Sequence, residues 1–166
     1  MKSGHYTIRV FSLKDVQLYK NIRLEALQSE PSFFGSNYAR EAAFTEEEWL
    51  SRINNNSSAC FGLFYNEELI GLTGIYIDPD NAALGQLAQS YIRKEFRGKG
   101  LSALLYDARI AWARDRGLNS LQVGHRENNI ASKRANQHHG FKYTHREAVN
   151  WPGGSTGDIL YYLLEL

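Results

Sequence analysis

Arg97-Gly98-Lys99-Gly100-Leu101-Ser102 is the segment of this chain best suited to chemistry with an anion. Two glycines one residue apart let a backbone turn tightly and approach a ligand closely. An apolar stripe follows at once, with Leu101, Leu104, Leu105, Ala108, Ala111 and Trp112 at offsets 0, 3, 4, 7, 10 and 11, so the segment opens a helix. Unpaired N–H groups at a helix start, and the positive end of its dipole, favour negative charge. Arg97 and Lys99 add full charges, and a diphosphate is the fitting ligand. The P-loop pattern G-x-x-x-x-G-K-[ST] is absent, because Lys99 precedes Gly100. The dinucleotide fingerprint is matched in part by Gly98-x-Gly100-x-x-Ala103. That fingerprint belongs to the first βα unit of a parallel sheet, whereas here it follows several strands joined by tight turns. A plain flexible turn is the remaining reading of the glycines.

A second segment, Asn129 to Phe141, reads N-I-A-S-K-R-A-N-Q-H-H-G-F. Asn128 or Asn129 caps a helix there and Gly140 stops it. The two segments together resemble the GNAT N-acetyltransferase superfamily. Arg97 and Gly100 fill the first and fourth places of its [QR]-x-x-G-x-[GA] signature, and Ser102 stands where Gly or Ala is usual. Asn129, Ser132, Asn136, Gly140 and Phe141 fit its N-x-x-[AS]-x-x-x-[YN]-x-x-x-G-F segment. The Ala-Ser-x-Arg core is nearest the branch of ribosomal-protein and spermidine N-acetyltransferases.

The resemblance implies acetyl-coenzyme A as cofactor and transfer of its acetyl group to a primary amine by direct attack. The acceptor would be a small molecule, a polyamine or a peptide N-terminus. It implies an α/β (α+β) fold: a single domain over residues 1–166, a mixed central sheet of about seven strands, about four helices, and central strands that splay apart. By the same resemblance, Ser90, Tyr91 and Ile92 pair with the pantetheine like an added strand. The Ile92 backbone N–H faces the thioester carbonyl as an oxyanion donor. Arg97, Gly98, Lys99, Gly100, Leu101 and Ser102 cradle the diphosphate, and Asn129, Ser132 and Asn136 contact the cofactor. Many relatives place a tyrosine acid at the position of Asn136, so that role does not transfer, and Asn136 is expected to hydrogen-bond the sulfur or the cofactor instead. Phe33, Phe34, Tyr38 and Trp151 are candidate acceptor-lining residues, with core or loop packing the competing reading for each. Arg40, Glu41 and Asp158 could set acceptor polarity.

The chemistry requires a neutral amine. Deprotonating a lysine side chain at pH 7 costs about 4.6 kcal/mol, against about 1.4 kcal/mol for an α-amine. Candidate bases are Asp78 and Glu41, although Asp78-Pro79-Asp80-Asn81 is also ordinary turn chemistry and Glu41 also reads as a solvated surface carboxylate. Gln86 stands about where some relatives carry a catalytic glutamate, and it cannot accept the proton. His138 and His139 fall in a last helical turn, where positive charge suits the dipole. No spacing such as H-E-x-x-H marks a metal site, and none is proposed. Two other readings stay open: an acetyl-CoA-binding module without turnover, and a different nucleotide-binding α/β domain.

The elements that must position these residues follow from pattern. Tyr6 to Phe11 alternates as a strand, and Ser12 with Asp15 forms a capping pattern ahead of a helix ending near Ser29, before Pro31. Thr45 and Glu48 repeat it ahead of a second short helix. Strands are expected at Cys60–Tyr65, Leu69–Asp78, Ala83–Arg93, Leu118–Gly124, Phe141–Val149 and Gly157–Leu166. Trp151-Pro152-Gly153-Gly154-Ser155 joins the last two. Tyr161 and Tyr162 point to opposite faces.

The 166 residues suit one domain with a sizeable core. Lys and Arg number 19 and Asp and Glu 18, a balance that gives no support to nucleic-acid or membrane binding by bulk charge. The one cysteine, Cys60, excludes an internal disulfide and, in an apolar run, reads as a buried structural thiol. No secretory pattern or apolar span is visible, so the expected location is cytoplasmic. A homodimer is left open.

Overall fold

A computed structural model of the chain describes residues 4–151 and 154–166. One mixed sheet of seven strands organises it. The strands are β1 (Tyr6–Val10), β2 (Ser58–Tyr65), β3 (Glu68–Asp78), β4 (Asn81–Ile92), β5 (Ser120–Arg126), β6 (Lys142–Asn150) and β7 (Thr156–Glu165), in the order β1-β2-β3-β4-β5-β7-β6. Only β4 and β5 run parallel; every other neighbouring pair is antiparallel. The helices are α1 (Val16–Ser29), α2 (Tyr38–Ala42), α3 (Glu46–Ile53), α4 (Ser102–Asp115) and α5 (Ile130–His138). Short 3-10 turns lead into α1 and α4. The sequence reading misses α2, whose five residues are too few to show a period. Within the loop joining β6 to β7, Pro152 and Gly153 lie outside the described residues.

The helices form where their ends are satisfied. Ser12 donates to the Asp15 carboxylate through N–H at 2.8 Å and Oγ at 3.1 Å ahead of α1, and Arg9 grips the same carboxylate at 2.8 and 3.2 Å. Thr45 Oγ1 accepts from the Glu48 N–H at the head of α3. Strand alternation then divides the core into two layers. On β2, Cys60 and Phe64 pack with Tyr19, Ile22 and Leu27 of α1 and Trp49 of α3. Ala59 and Phe61 face the other way, onto Tyr106, Trp112 and Ala113 of α4.

Two irregularities in β4 open the centre of the sheet. Leu72 pairs with Tyr91 and Gly74 with Ala88, so Thr73 alone opposes both Gln89 and Ser90. Gln89 takes a left-handed φ of 61°, uncommon for a side-chain-bearing residue. This bulge resets the alternation: Leu87 packs in the α4 layer, whereas Tyr91 packs in the α1 layer. Second, β4 pairs with β5 only at Leu84–Ser120, Gly85–Leu121 and Gln86–Gln122. Beyond Gln86 the strands part, as the resemblance implies. Among the described residues, no helix is long and apolar enough to cross a membrane.

Candidate functional site

The parting of β4 from β5 opens into a cavity of about 450 Å³ that runs to the start of α4. Its β4 wall includes Ser90, Tyr91 and Ile92. The Arg93 N–H bonds to Ile70 O across β3 at 2.9 Å. In an antiparallel ladder the next residue then points its polar backbone groups away from that partner, so Ile92 presents N–H and C=O to the parted side. The Tyr91 side chain leaves the cavity for α1, donating to Glu25 at 3.0 Å.

At the mouth lies the glycine loop. Gly98 and Gly100 both sit at positive φ, 76° and 75°, which a side chain rarely adopts. The N–H groups from Gly98 through Ser102 make no hydrogen bond among the described residues, and Leu101, at the N-cap position of α4, provides no side-chain cap. Such a run of free donors at a helix start binds anions. The loop's two charged groups are placed differently: Arg97 lines the cavity and Lys99 does not. Arg97 donates to Ile92 O at 2.7 Å and to Glu30 at 3.0 Å, bracing the loop against β4 and the end of α1. Lys99 is exposed and does not line the cavity.

The opposite wall comes from α5. Asn129 caps that helix, its Oδ1 accepting from the Ser132 N–H at 3.1 Å. Ser132 and Asn136 line the cavity one and two turns on. Asn136 is 1% exposed, its Oδ1 accepts from the Tyr106 hydroxyl, and its Nδ2 has no partner. An unpaired amide buried in a cavity wall is costly and is free to donate to whatever fills the cavity.

Of the aromatic candidates, Phe33 and Phe34 line the cavity, whereas Tyr38 and Trp151 do not. Tyr38 is exposed on α2. Trp151 stacks under Arg126 at 3.7 Å and borders a smaller pocket with Glu127 and Asn128. Arg126 joins the two regions by donating to Phe34 O at 2.6 Å.

Neither candidate base lines the cavity. Glu41 is fully buried, which overturns its reading as a solvated carboxylate. It accepts from Arg23 at 2.9 and 2.8 Å and from Arg52 at 2.8 Å. Desolvation pulls its pKa up, but the two guanidinium groups outweigh it and hold the carboxyl below its ordinary value. Asp78 is a turn residue, accepting from the Asp80 N–H at 2.9 Å and the Gln86 amide at 2.9 Å; the Gln86 bond lowers its pKa. Cys60 is buried in the α1 layer, and burial pushes its thiol up. His138 is exposed in the last turn of α5, while His139 stacks on the Tyr106 ring at 4.0 Å. Tyr162 is buried and Tyr161 half-buried. No cluster that could hold a metal occurs among the described residues.

The sequence reading missed Tyr106, Arg109, Gln89 and His125, all of which line the cavity. Arg109 carried a signal: at offset 8 from Leu101 it interrupts the apolar stripe of α4. His125 on β5 bonds through Nδ1 to Arg126 O at 2.6 Å and through Nε2 to the Tyr162 hydroxyl at 3.2 Å. Gln89 accepts from Tyr19 at 2.7 Å, which anchors the bulge to α1.

Comparison with known proteins agrees with this geometry. The model of the acetyltransferase (GNAT) family matches residues 23–141. A sequence search of curated proteins finds no match. Among solved structures, a GNAT-family acetyltransferase from Streptococcus pneumoniae is 22% identical, with 98% of this chain and 100% of that chain covered at a TM-score of 0.79. Ribosomal-protein-alanine N-acetyltransferase from Brucella melitensis is 20% identical, with 96% and 99% covered at 0.79. A putative acetyltransferase from Salmonella typhimurium, solved with its cofactor acetyl-CoA, is 19% identical, with 98% and 94% covered at 0.81. At these identities the likeness is one of fold.

Proposed function

Because this chain belongs to the GNAT acetyltransferase family, we propose that it transfers the acetyl group of acetyl-CoA to a primary amine by direct attack. The observation that carries this reading is the meeting of the β4–β5 opening with the free N–H run at the start of α4. The residues present fit the cofactor. Gly98 to Ser102 would hold its diphosphate, the Ser90 to Ile92 stretch of β4 its pantetheine, and Asn129, Ser132 and Asn136 its far side. When bound, the cofactor would supply the acetyl group as a thioester.

What the chain contributes is placement and polarity. The Ile92 N–H would bond the thioester oxygen; losing one such donor costs about 3 kcal/mol of transition-state stabilisation. The bulge at Gln89 fixes where that donor points. Phe33 and Phe34, which line the cavity, would border the acceptor. Tyr38 and Trp151 stand back from it, and a role of Trp151 in acceptor binding would be reached through Arg126.

Among the described residues, no carboxylate lines the cavity. An acceptor with a pKa near 8 can lose its proton to solvent at a cost of about 1.4 kcal/mol, whereas a lysine at about 10.4 would need a placed base. The reading therefore favours an α-amine, such as a peptide N-terminus, or another weakly basic amine. The Brucella neighbour, named for a ribosomal-protein alanine, is consistent with that class. The test is CoA release from acetyl-CoA with a panel of peptide N-termini, polyamines and lysine-containing peptides. Turnover is expected for α-amines above the others. Tight acetyl-CoA binding without turnover on any amine would make the chain a binding module instead.

A further inference from the structure

Arg126 stands between the cavity and the smaller pocket, of about 220 Å³, beside it. Its Nη2 donates to Phe34 O at 2.6 Å, and its guanidinium lies over the Trp151 ring at 3.7 Å. Nε is buried with no partner, and Nη1, which is not buried, makes no hydrogen bond among the described residues. No carboxylate among them pairs with Arg126, although Glu127 and Asp158 line the same pocket. Both are held by Arg146 instead, at 2.8 and 2.6 Å. The pKa directions agree: Asp158 and Glu127 raise Arg146, whereas burial alone moves Arg126, downward. Arginine keeps its charge at neutral pH. The chain thus leaves a half-buried cation without a direct counter-charge at this pocket.

Its surroundings present that charge rather than cover it. Trp151 is 9% exposed, its N–H donates to Ser155 O at 2.7 Å, and a Cβ added to Gly157 would lie 2.8 Å from its Nε1, so the ring has one seat. A guanidinium over an aromatic face keeps its edge donors for a carboxylate or phosphate. Asn128, Ser155 and Thr156, which also line the pocket, add neutral donors. On β5, Gly124 and His125 line the cavity and Arg126 follows them, one strand residue or about 3.3 Å further along. Phe34, whose carbonyl Arg126 holds, also lines the cavity. An amine that enters past Phe34 therefore brings its other substituents to Arg126.

We propose that Arg126, seated on Trp151, is a specificity-determining residue that binds an anionic group of the acceptor, so that the preferred acceptor is an amine with a carboxylate a few atoms from its nitrogen. The carboxylate of a free amino acid and an acidic side chain beside a peptide N-terminus offer this same chemistry. The subsite rests on the reading that the chain moves acetyl from acetyl-CoA to an amine, and Arg126 takes no part in the bonds made and broken.

The test is coenzyme A release by the whole protein with two matched pairs of acceptors: alanine against alaninamide, and a C-terminally amidated tripeptide with aspartate at its second position against the same peptide with asparagine there. The anionic-to-neutral ratio of kcat/KM is compared between wild type and Arg126→Met, so any difference in amine basicity within a pair cancels. For at least one pair the ratio is expected to fall roughly 10- to 100-fold in the variant, the range of one charge-assisted hydrogen bond. The pair that responds identifies the source of the carboxylate. Arg126→Gln, which keeps a donor, should show the same fall and serves where Arg126→Met does not fold; Arg126→Lys should fall less. Calorimetric binding of acetyl-CoA should persist in each folded variant, because Arg126 does not line the cavity. A ratio unchanged in both pairs overturns the proposal, since a residue that only braces Phe34 would slow both members alike. Turnover of no amine by protein that binds acetyl-CoA would instead remove the transfer reading, and the subsite with it.

Discussion

Glu41→Gln separates structure from catalysis at the one buried carboxylate that sequence also offered as a base. Its side chain is 0% exposed, between Arg23 at 6% and Arg52 at 28%. The arginines are themselves packed, Arg23 over Phe34 at 5.0 Å and Arg52 over Phe44 at 4.7 Å. With charge centres about 4 Å apart and an effective dielectric of about 20, each arginine contributes about 4 kcal/mol of attraction. Against this gross total stands a desolvation penalty of several kcal/mol for the carboxylate. Glutamine keeps the shape but removes the charge, and its amide donors face guanidinium donors. The expected net loss is about 3–5 kcal/mol, typical of breaking a buried pair from one side. For a chain of this length that is about 6–20 °C in melting midpoint. The assay is thermal unfolding by circular dichroism, with acetyl-CoA binding measured at low temperature. The folded fraction should bind as wild type does. A midpoint within about 2 °C of wild type, with acetyl transfer lost, would refute this account and restore Glu41 as a base.

Two more perturbations read different parts of the fold. Gly85 sits in the short parallel pairing of β4 with β5, where an added Cβ would lie 2.6 Å from Leu121 Cδ2 and 3.1 Å from Leu118 Cδ1. Gly85→Ala should therefore destabilise by about 1–3 kcal/mol through overpacking, measured by urea unfolding; an unchanged midpoint would show that the strands separate there too. Asp15 is held at a pKa of about 2, chiefly by its Arg9 hydrogen bonds, against an ordinary 3.8. A depressed folded pKa stabilises fully above the unfolded value and loses that contribution as pH falls through the folded one. Because Arg9 is half exposed, the effect is limited to about 1 kcal/mol. The stability gap between wild type and Asp15→Asn should thus hold at neutral pH and close between about pH 4 and pH 2; a gap constant across that range would contradict the assignment.

Much of the frame was legible because it is local. The Ser12–Asp15 pair caps α1, Asn129 caps α5, and the stripe from Leu101 to Trp112 is α4. What was not legible depends on contacts between distant residues. The bulge at Gln89 is stabilised by Tyr19, seventy positions earlier, and it turns Tyr91 to the face opposite Leu87 although both hold odd positions. Simple alternation cannot report such a reset. Glu41 reads as polar surface because its partners, Arg23 and Arg52, come from two other helices. Arg97 and Lys99 carry equal charge in the sequence, yet Arg97 lines the cavity while bracing the loop and Lys99 is exposed away from it; the glycines, through their positive φ, free backbone donors beside them. Tyr106 escaped notice because a tyrosine at an apolar helix position is ordinary core until Asn136, thirty residues on, is seen to accept from it.

The central claim is that the β4–β5 opening and the glycine loop take acetyl-CoA, and calorimetric titration of acetyl-CoA tests it most directly. Two glycines provide a matched pair of variants: Gly100 and Gly117 share a positive φ, 75° and 70°, and open space around a built Cβ, but only Gly100 lines the cavity. Wild type and Gly117→Trp should bind one equivalent, competed by coenzyme A and not by NAD or ATP, while Gly100→Trp should remain folded and give no binding heat. Absence of binding by folded wild type, or undiminished binding by Gly100→Trp, would contradict the account.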